Sequence, residues 1–360
     1  MRPPDDPVDR QLLDIVQVDF PLAARPFAEL GARVGIEEDD ALARIARLKQ
    51  RGGPIRQISA IFDSHTLGYD STLVAGQCPP DHIEAGADAV CRHPGVSHCY
   101  QRDHRYNLWY TLAVPPTSRL GLDRTVQRLH ELSGAVVTRK LPTLQLFKIG
   151  VVLDLADEGN TGSTTNADPG LGGGPYTAAD RRIARQHPIT EDDLPLIRAL
   201  QTDITIEPSP FDRLADMAGC SVEQLLAAAH RLIERRQMRR YAAVLRHREA
   251  GFVANCMVCW QVPDEHTERI GRRMAEFDAV SHCYLRPTYE DWPYNVYTMI
   301  HGQNRPACLA VVESLTSVGD LPPPAVLWST REFKKTRVQY FTEETEVWER
   351  QNAADPDAKN

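Results

Sequence analysis

The sequence aligns with itself when it is displaced by 184 positions. The stretch Val-Ser-His-Cys-Tyr occurs at 96–100 and again at 280–284, and Pro-Phe occurs at 26–27 and again at 210–211. Chance matches do not keep one offset over so long a stretch. After Arg102 and Arg286 the second copy gains four residues, so that Tyr106 corresponds to Tyr294. The chain is therefore predicted to hold two copies of one structural unit.

Composition and charge narrow the class of protein. No apolar run approaches the roughly 20 residues that a membrane helix needs, so a soluble protein without a membrane partner is expected. The formal net charge of -8 disfavours non-specific attachment to nucleic acid. The first residues lack the apolar core of a signal peptide, which predicts a cytoplasmic location and free thiols for most of the eight cysteines.

Each copy changes its periodicity halfway. In the first copy, apolar residues recur at three- and four-residue steps from 12 to 48 with breaks at Pro21 and Gly35, which predicts three short helices. A turn and a small strand pair should follow them, giving a winged helix-turn-helix. The remainder predicts the order βαββαβ, with 143–155 as the last strand, which is typical of a ferredoxin-like sandwich. The fold class is α+β.

The repeat and the composition of the segment between the two copies together predict six segments in the chain. A stretch rich in Gly, Ser, Thr and Asn separates the copies and should be a flexible linker, and the polar C-terminal tail should fray. The expected boundaries are 8–62 and 181–246 for the winged helix-turn-helix domains, 63–156 and 247–348 for the ferredoxin-like domains, 157–180 for the linker and 349–360 for the tail.

Polar side chains alternate along the strand that begins at Val96. His98, Tyr100 and Arg102 share one face of that strand, and His104 lies at the bend that follows. Both imidazoles and the guanidinium are therefore expected to converge. The second copy repeats two members of the cluster, as His282 and Arg286.

The return strand of this hairpin adds aromatic side chains. Strict alternation places Tyr106, Leu108 and Tyr110 on one face and Trp109 on the other. Cationic and aromatic groups together indicate a pocket for a flat anionic ligand.

Other residues offer weaker candidates. The range Cys256–Cys259 has the spacing of metal ligands, but its two thiols should face opposite sides of a strand. Ser97 and Ser281 precede the histidines and are expected to face away from them, which argues against a serine nucleophile. Lys148 and Lys334 occupy matching places, where each reaches a ligand carboxylate or faces solvent.

A winged helix followed by a ferredoxin-like domain resembles the Lrp/AsnC family of transcription regulators. The helix that would enter the major groove opens with four acids, at 37–40, and these would repel phosphate. We therefore expect no nucleic-acid partner. The helices should instead pack the two copies together.

Longer motifs resemble the siroheme decarboxylases, within this Lrp/AsnC-like superfamily. They are the paired Val-Ser-His-Cys-Tyr segments, the stretch 105–112 and the stretch 292–302. The resemblance is closest to a fused form in which a linker joins two related subunits. It implies a carboxy-lyase that converts siroheme to 12,18-didecarboxysiroheme by removing the C12 and C18 acetate carboxylates, in d-type haem biosynthesis during denitrification. It implies no organic cofactor, because iron enters with the substrate.

The resemblance also gives roles to the cluster. Siroheme carries eight carboxylates around a flat ring, so its pocket needs cations and aromatic walls. His98 and His104 are expected to be catalytic, one protonating the carbon that loses carbon dioxide and the other polarising the acetate. The expected substrate-binding residues are Tyr100, Arg102, Arg105, Tyr106, Trp109, Lys148, His282, Arg286 and His301, and no protein-held metal is expected.

The copies differ around these residues. The second has no counterpart of His104 but gains His301 on its next strand. One copy therefore catalyses while the other supports, or each copy acts on one acetate. The alternative functions are a regulator that responds to haem or another tetrapyrrole and a binding protein that leaves its tetrapyrrole unchanged. A homodimer is also expected as one form of assembly.

Overall fold

The computed structural model describes residues 6–149, 178–245, 254–319 and 321–352. The chain divides into two compact units, one with both helix-turn-helix domains and the other with both ferredoxin-like domains. It thus sorts its domains by type and not by copy. Most of the predicted linker lies outside the described residues, and its last three residues begin a helix.

The first unit contains three short helices from each copy. They are α1 (Pro7–Val18), α2 (Pro26–Val34) and α3 (Glu38–Lys49), then α7 (Asp193–Leu200), α8 (Phe211–Ala218) and α9 (Val222–Glu234), with α6 (Ala178–Arg185) before the second set. The predicted breaks are confirmed, because α1 ends before Pro21 and α2 ends at Gly35. Gly35 has φ 77°, a left-handed conformation that glycine adopts without strain.

The strand after these helices does not form a wing within its own copy. β1 (Ile55–Phe62) pairs antiparallel with β7 (Met238–Leu245), so each copy supplies one strand of a two-stranded sheet. The prediction of a strand pair inside one copy is wrong. Ala60 lies opposite Tyr241 and both are buried, so the exchanged pair joins the two apolar cores. The two copies are therefore joined here by a strand pair, whereas the helices were expected to pack them together.

Two of the four acids at the start of α3, Glu38 and Asp40, pair with arginines of the same unit, and acids at the start of α1 join them. Arg44 Nη1 lies 2.9 Å from carboxylate oxygens of Asp6 and of Asp9, and its Nε lies 2.9 Å from Asp40. Glu38 pairs with Arg25. These carboxylates therefore serve packing within the unit.

The second unit contains two ferredoxin-like domains. The first is β2 (Asp70–Gln77), α4 (Ile83–Cys91), β3 (Val96–Arg102), β4 (Leu108–Val114), α5 (Gly121–Ser133) and β5 (Val137–Leu141). The second is β8 (Ala254–Trp260), α10 (Thr267–Ala275), β9 (Val280–Leu285), β10 (Val296–Gly302), α11 (Arg305–Thr316) and β11 (Ala325–Lys335), with β6 (Gln145–Ile149) and α12 (Glu343–Asn352) elsewhere in the unit. The predicted order βαββαβ is confirmed.

The end of each copy crosses to the sheet of the other copy. The first half of β11 pairs with β8 and the second half pairs with β3. In the first copy β5 pairs with β2 and β6 pairs with β9, and Pro142, which has no N–H to donate, lies between them. One sheet results, in the order β5-β2-β4-β3-β11-β8-β10-β9-β6. The predicted strand at 143–155 is therefore not the last strand of its own copy's sheet, and only 145–149 of it is described as strand.

The C-terminal helix α12 extends into the segment 349–360 that was predicted to be a tail. Trp348 packs into the core of the first ferredoxin-like domain, and Glu349 accepts hydrogen bonds from Ser118 and from the backbone N–H of Arg119. These contacts order residues 349–352, which were expected to fray.

Three apolar clusters fill the second unit. Two lie between one half of the sheet and its helices, and the third combines side chains of both copies. Cys256 belongs to a helix-side cluster and Cys259 to the shared cluster, which confirms that these thiols face opposite ways. All eight cysteines are free thiols. Within the described ranges no three His, Cys, Asp or Glu side chains gather as metal ligands, and no helix has the length and apolarity to cross a membrane.

Candidate tetrapyrrole site

The paired histidines lie directly after β-bulges. The pairing register of β3 on β4, and of β9 on β10, shifts just before His98 and His282. Each bulge re-aims the preceding serine. Ser97 Oγ lies 3.0 Å from His98 Nδ1, and Ser281 Oγ lies 2.9 Å from His282 Nδ1. The prediction that these serines face away from the histidines is wrong, because a bulge breaks the two-residue alternation of a strand.

The serine contacts orient both imidazoles. With Nδ1 engaged, Nε2 is the ring nitrogen that can reach a ligand. The ring of His98 lies 6.3 Å from that of Tyr100, and the ring of His282 lies 6.1 Å from that of Tyr284. The two copies therefore present the same histidine and tyrosine pair.

The paired histidines of both copies have lowered pKa values. Burial lowers the pKa of His98, and the nearby Lys335 lowers it further. Burial, His301 and His98 together lower the pKa of His282 to about 4. Both rings are therefore mainly neutral at pH 7 in the free protein. A bound polyanion would raise both pKa values, because negative charge favours the imidazolium form.

The predicted substrate-binding arginines each reach a backbone carbonyl of the other copy. Arg102 Nη1 donates a hydrogen bond of 3.0 Å to the carbonyl oxygen of Leu327, and Arg286 Nη1 donates one to the carbonyl oxygen of Leu141. Burial lowers the pKa of both guanidinium groups. Among the described residues, the Nε of each has no hydrogen-bond partner. Each arginine thus ties its own copy to a strand of the other copy and keeps one buried N–H unused.

His104 lies apart from His98. It follows the end of β3, and the four residues from His98 to Arg102 alone span roughly 13 Å of extended strand. His104 Nδ1 accepts a hydrogen bond of 3.1 Å from the backbone N–H of Tyr106, and its ring meets Trp292 edge-on at 5.3 Å. The structure therefore does not bring His98 and His104 together as expected.

Tyr106 and Trp109 belong to the shared cluster of both copies. Leu108 and Tyr110 pack on the helix side, so the prediction that Tyr106 shares their face is wrong. Strict alternation does not apply to Tyr106, because β4 begins only at Leu108.

The hairpin turns of the two copies meet at Asp291. Its carboxylate accepts a bidentate pair of 2.9 Å hydrogen bonds from Arg139 and one of 2.5 Å from the Tyr106 hydroxyl, and Arg105 donates to its carbonyl. The contacts with Arg139 and Tyr106 lower the pKa of Asp291 to about 2. Sequence reasoning missed Asp291 and Arg139, although the four residues inserted in the second copy marked this turn as different.

The paired lysines neither face solvent nor stand free. Lys148 Nζ donates to the carbonyl oxygen of Phe277 at 2.8 Å, just after α10, and Lys334 Nζ donates to that of Cys91 at 2.7 Å, at the end of α4. Lys334 thereby supplies a donor to a carbonyl group at a helix end, whereas the carbonyl oxygen of Phe277 also accepts a hydrogen bond of 3.1 Å from the backbone N–H of Val280. Each lysine is half-buried and has a backbone partner, and the role of Lys148 in substrate binding stays a prediction.

His301 is joined to the second copy's histidine through a serine. Its Nε2 lies 2.8 Å from Ser281 Oγ, the same hydroxyl that contacts His282. In the first copy the corresponding hydroxyl, that of Ser97, contacts Thr111 Oγ1 at 2.8 Å instead. The asymmetry between the copies therefore lies beside their paired histidines.

Sequence comparisons agree with this division of the chain. The family profile described as an AsnC-like ligand binding domain matches residues 66–148 and 249–334. The profile described as a siroheme decarboxylase NirDL-like HTH domain matches residues 9–56 and 193–239. Both copies are thus recognised in both of their parts.

Similar proteins cover nearly the whole chain. A siroheme decarboxylase of Hydrogenobacter thermophilus is 38% identical over 94% of this chain and 96% of its own. The alpha subunit of siroheme decarboxylase from Desulfovibrio desulfuricans is 44% identical over 41% of this chain and 82% of its own. A crystal structure of the siroheme decarboxylase NirDL in complex with an iron-uroporphyrin III analogue is 33% identical, with a TM-score of 0.76 and coverage of 96% of this chain and 98% of that one. This chain therefore belongs to the siroheme decarboxylase family, in its fused, single-chain form.

Proposed function

We propose that this protein is a carboxy-lyase that removes carbon dioxide from the C12 and C18 acetate side chains of siroheme and releases 12,18-didecarboxysiroheme. The observation that carries the proposal is the matching histidine and tyrosine pair of each copy, His98 with Tyr100 and His282 with Tyr284, whose imidazoles are each held by a serine hydroxyl. The relative crystallised with an iron-uroporphyrin III analogue supports a large polyanionic tetrapyrrole as the ligand.

The shared face offers what such a ligand requires. Trp109 and Tyr297 are fully buried in the shared cluster. Tyr100 and Tyr284, which are partly exposed beside the paired histidines, supply aromatic surface for the macrocycle. Arg102 and Arg286 place two guanidinium charges behind it, and a buried cation attracts a carboxylate strongly where water is excluded. Tyr100, Arg105, Tyr106 and Lys148 complete the proposed binding set.

The reaction needs one proton for each acetate. The bond to the carboxylate breaks, carbon dioxide leaves, and the electron pair stays on the methylene carbon until a proton converts it to methyl. We assign this step to His98 and His282, one protonating the carbon and the other polarising the acetate. The substrate's own carboxylates would raise the pKa values that burial lowers. No organic cofactor is proposed, and iron arrives with the substrate.

His104 receives a different assignment from the one predicted. Its contacts with Tyr106 and Trp292 place it in the hairpin turns, and we propose that it positions these turns around the edge of the macrocycle. The d-type haem pathway, the cytoplasmic location and the homodimer stay predictions, and light scattering would measure the last of these.

Anaerobic incubation of the purified protein with siroheme tests the proposal. Mass analysis of the extracted tetrapyrrole should show the loss of two carbon dioxide units, and a variant with both His98→Ala and His282→Ala should not produce it. A tetrapyrrole that binds and keeps its mass would instead support a sensor or carrier. Absence of binding would contradict a tetrapyrrole site altogether.

A further inference from the structure

A hydrogen-bonded chain of three side chains leads away from the second copy's histidine. His301 Nε2 lies 2.8 Å from Ser281 Oγ, and Ser281 Oγ lies 2.9 Å from His282 Nδ1. Ser281 is buried, whereas His301 is partly exposed. A hydroxyl between two imidazoles donates to one while it accepts from the other. The chain therefore connects the shared face of the copies with a side chain that solvent reaches.

The first copy lacks the outer member of this chain. Counting from the repeat, Ala113 stands at the position of His301, and Thr111 stands at that of Met299. Ser97 bridges His98 to Thr111, whose hydroxyl also accepts a hydrogen bond from the backbone N–H of His98 at 3.2 Å. A threonine hydroxyl does not take up a proton from water near neutral pH, so only the second copy has a titratable group at the outer end.

The chain answers a problem that His282 poses. Burial makes a positive charge on this ring unfavourable, and His98 and Lys148 repel it further. A neutral imidazole donates its Nε2 proton effectively only if Nδ1 receives another proton in the same event. Charge held on His301 would cost less, because solvent reaches that ring.

We propose that His301, acting through the hydroxyl of Ser281, supplies the proton that lets His282 protonate the carbon which loses carbon dioxide. This inference rests on the proposed function and assigns the donor role to His282, which leaves His98 to polarise the acetate. His301 and Ser281 are positioning residues, because they act through His282.

The proton transfers balance. The methylene carbon takes the Nε2 proton of His282, His282 Nδ1 takes the hydroxyl proton of Ser281, and Ser281 Oγ takes the Nε2 proton of His301. His301 changes from imidazolium to neutral imidazole. The protein therefore loses one proton, and the product gains one. His301 regains a proton from solvent, and the tautomer of His282 resets when product leaves and water enters.

The variants Ser281→Ala and His301→Ala break the chain at different points, and Ser97→Ala removes the matching hydroxyl in the first copy. Single-turnover decarboxylation of siroheme, followed anaerobically by mass, should slow by about 10²-fold or more at pH 7.5 in the first two variants. Ser97→Ala should slow it less. Ser281→Thr keeps the hydroxyl, so this variant should retain most of the rate of the unaltered protein. Added imidazole should increase the rate of the His301→Ala variant.

The pH profile separates proton delivery from mere support. Without the chain, His282 must take its proton directly from solvent. The rate of Ser281→Ala, relative to that of the unaltered protein, should therefore rise as the pH falls towards 5. The charged and titratable groups around His282 are His98 on β3, Lys148 on β6 and His301 on β10.

Two results would overturn the chain while the proposed function stands. One is rates in Ser281→Ala and His301→Ala within twofold of the unaltered protein at every pH. The other is a loss of decarboxylation rate that neither Ser281→Thr, imidazole nor low pH reverses, in variants whose bound iron-uroporphyrin has an unchanged absorption spectrum. An unaltered protein that leaves siroheme intact would overturn the proposed function itself, together with this inference.

Discussion

Arg102 on β3 reaches the backbone carbonyl oxygen of Leu327 on β11, 3.0 Å away, and so joins the first copy to the last strand of the second. We predict that Arg102→Met lowers the free energy of unfolding by about 1.5–3 kcal/mol, because a buried carbonyl loses a charged donor. Urea denaturation measures the change. If Arg102 acted only on substrate, the variant would bind iron-uroporphyrin III more weakly with its stability unchanged.

Histidine variants should separate the two kinds of histidine in this protein. Alanine at His98 or at His282 removes a ring from the shared face, and turnover should fall by about 10²–10⁴-fold. Alanine at His104 should instead raise KM more than it lowers kcat, because that ring packs against Trp292 in the hairpin turns. Steady-state kinetics with siroheme make the comparison. A loss of kcat confined to His104→Ala would return the catalytic role to that residue.

Binding of a polycarboxylate tetrapyrrole should take up protons. The pKa values of His98 and His282 are lowered in the free protein, and ligand carboxylates would raise them. The complex then holds more protons than the free protein, so affinity should increase as the pH falls from 8 to 6. Calorimetric titration of iron-uroporphyrin III in buffers of different ionisation enthalpy counts these protons. Replacement of both histidines with glutamine should abolish most of the uptake, and equal uptake in that variant would contradict the assignment.

His93 should make the second unit less stable in acid. It is fully buried, its Nδ1 accepts a hydrogen bond from the backbone N–H of Gly95, and its ring lies 4.4 Å from that of Trp348. Burial, with a smaller effect of Lys334, lowers the pKa of His93 to about 3. The unfolded chain binds this proton first, so stability present above pH 6.5 is lost as the pH falls, by about 2–3 kcal/mol at pH 4.5.

Denaturation at pH 7 and pH 4.5 tests this linkage. The variant His93→Gln keeps a polar side chain of similar size and cannot take up the proton, so its stability should fall less between the two pH values. Equal losses in the two proteins would show that His93 does not contribute.

The sequence predicted the elements of this fold better than their partners. Helix periodicity and the breaks at Pro21 and Gly35 fixed three helices, because those signals are local. Strand periodicity identified β1 and part of β6, but it does not specify which strand lies beside them, since pairing depends on contacts distant in sequence. Pro142 was the visible sign that the last segment of the first copy divides.

The candidate site shows the same limit at finer scale. Alternation placed His98, Tyr100 and Arg102 on one face, but it could not predict the bulges that turn Ser97 and Ser281 towards their histidines. A bulge changes the count by one residue and leaves composition untouched. The electrostatic influence of His98 on the pKa of His282 was missed for a related reason, because it arises only after the two half-sheets have joined.

Because β6 and β11 cross to the other copy, neither copy forms a complete sheet by itself. A half produced by itself would leave the edges of β3 or β9 without hydrogen-bond partners, and such edges invite pairing with other chains. A single polypeptide supplies the halves in equal number and makes their pairing intramolecular, at an effective concentration on the order of mM. Fusion of the two copies therefore acts as dosage control, since neither half is synthesised without the strand that closes its sheet.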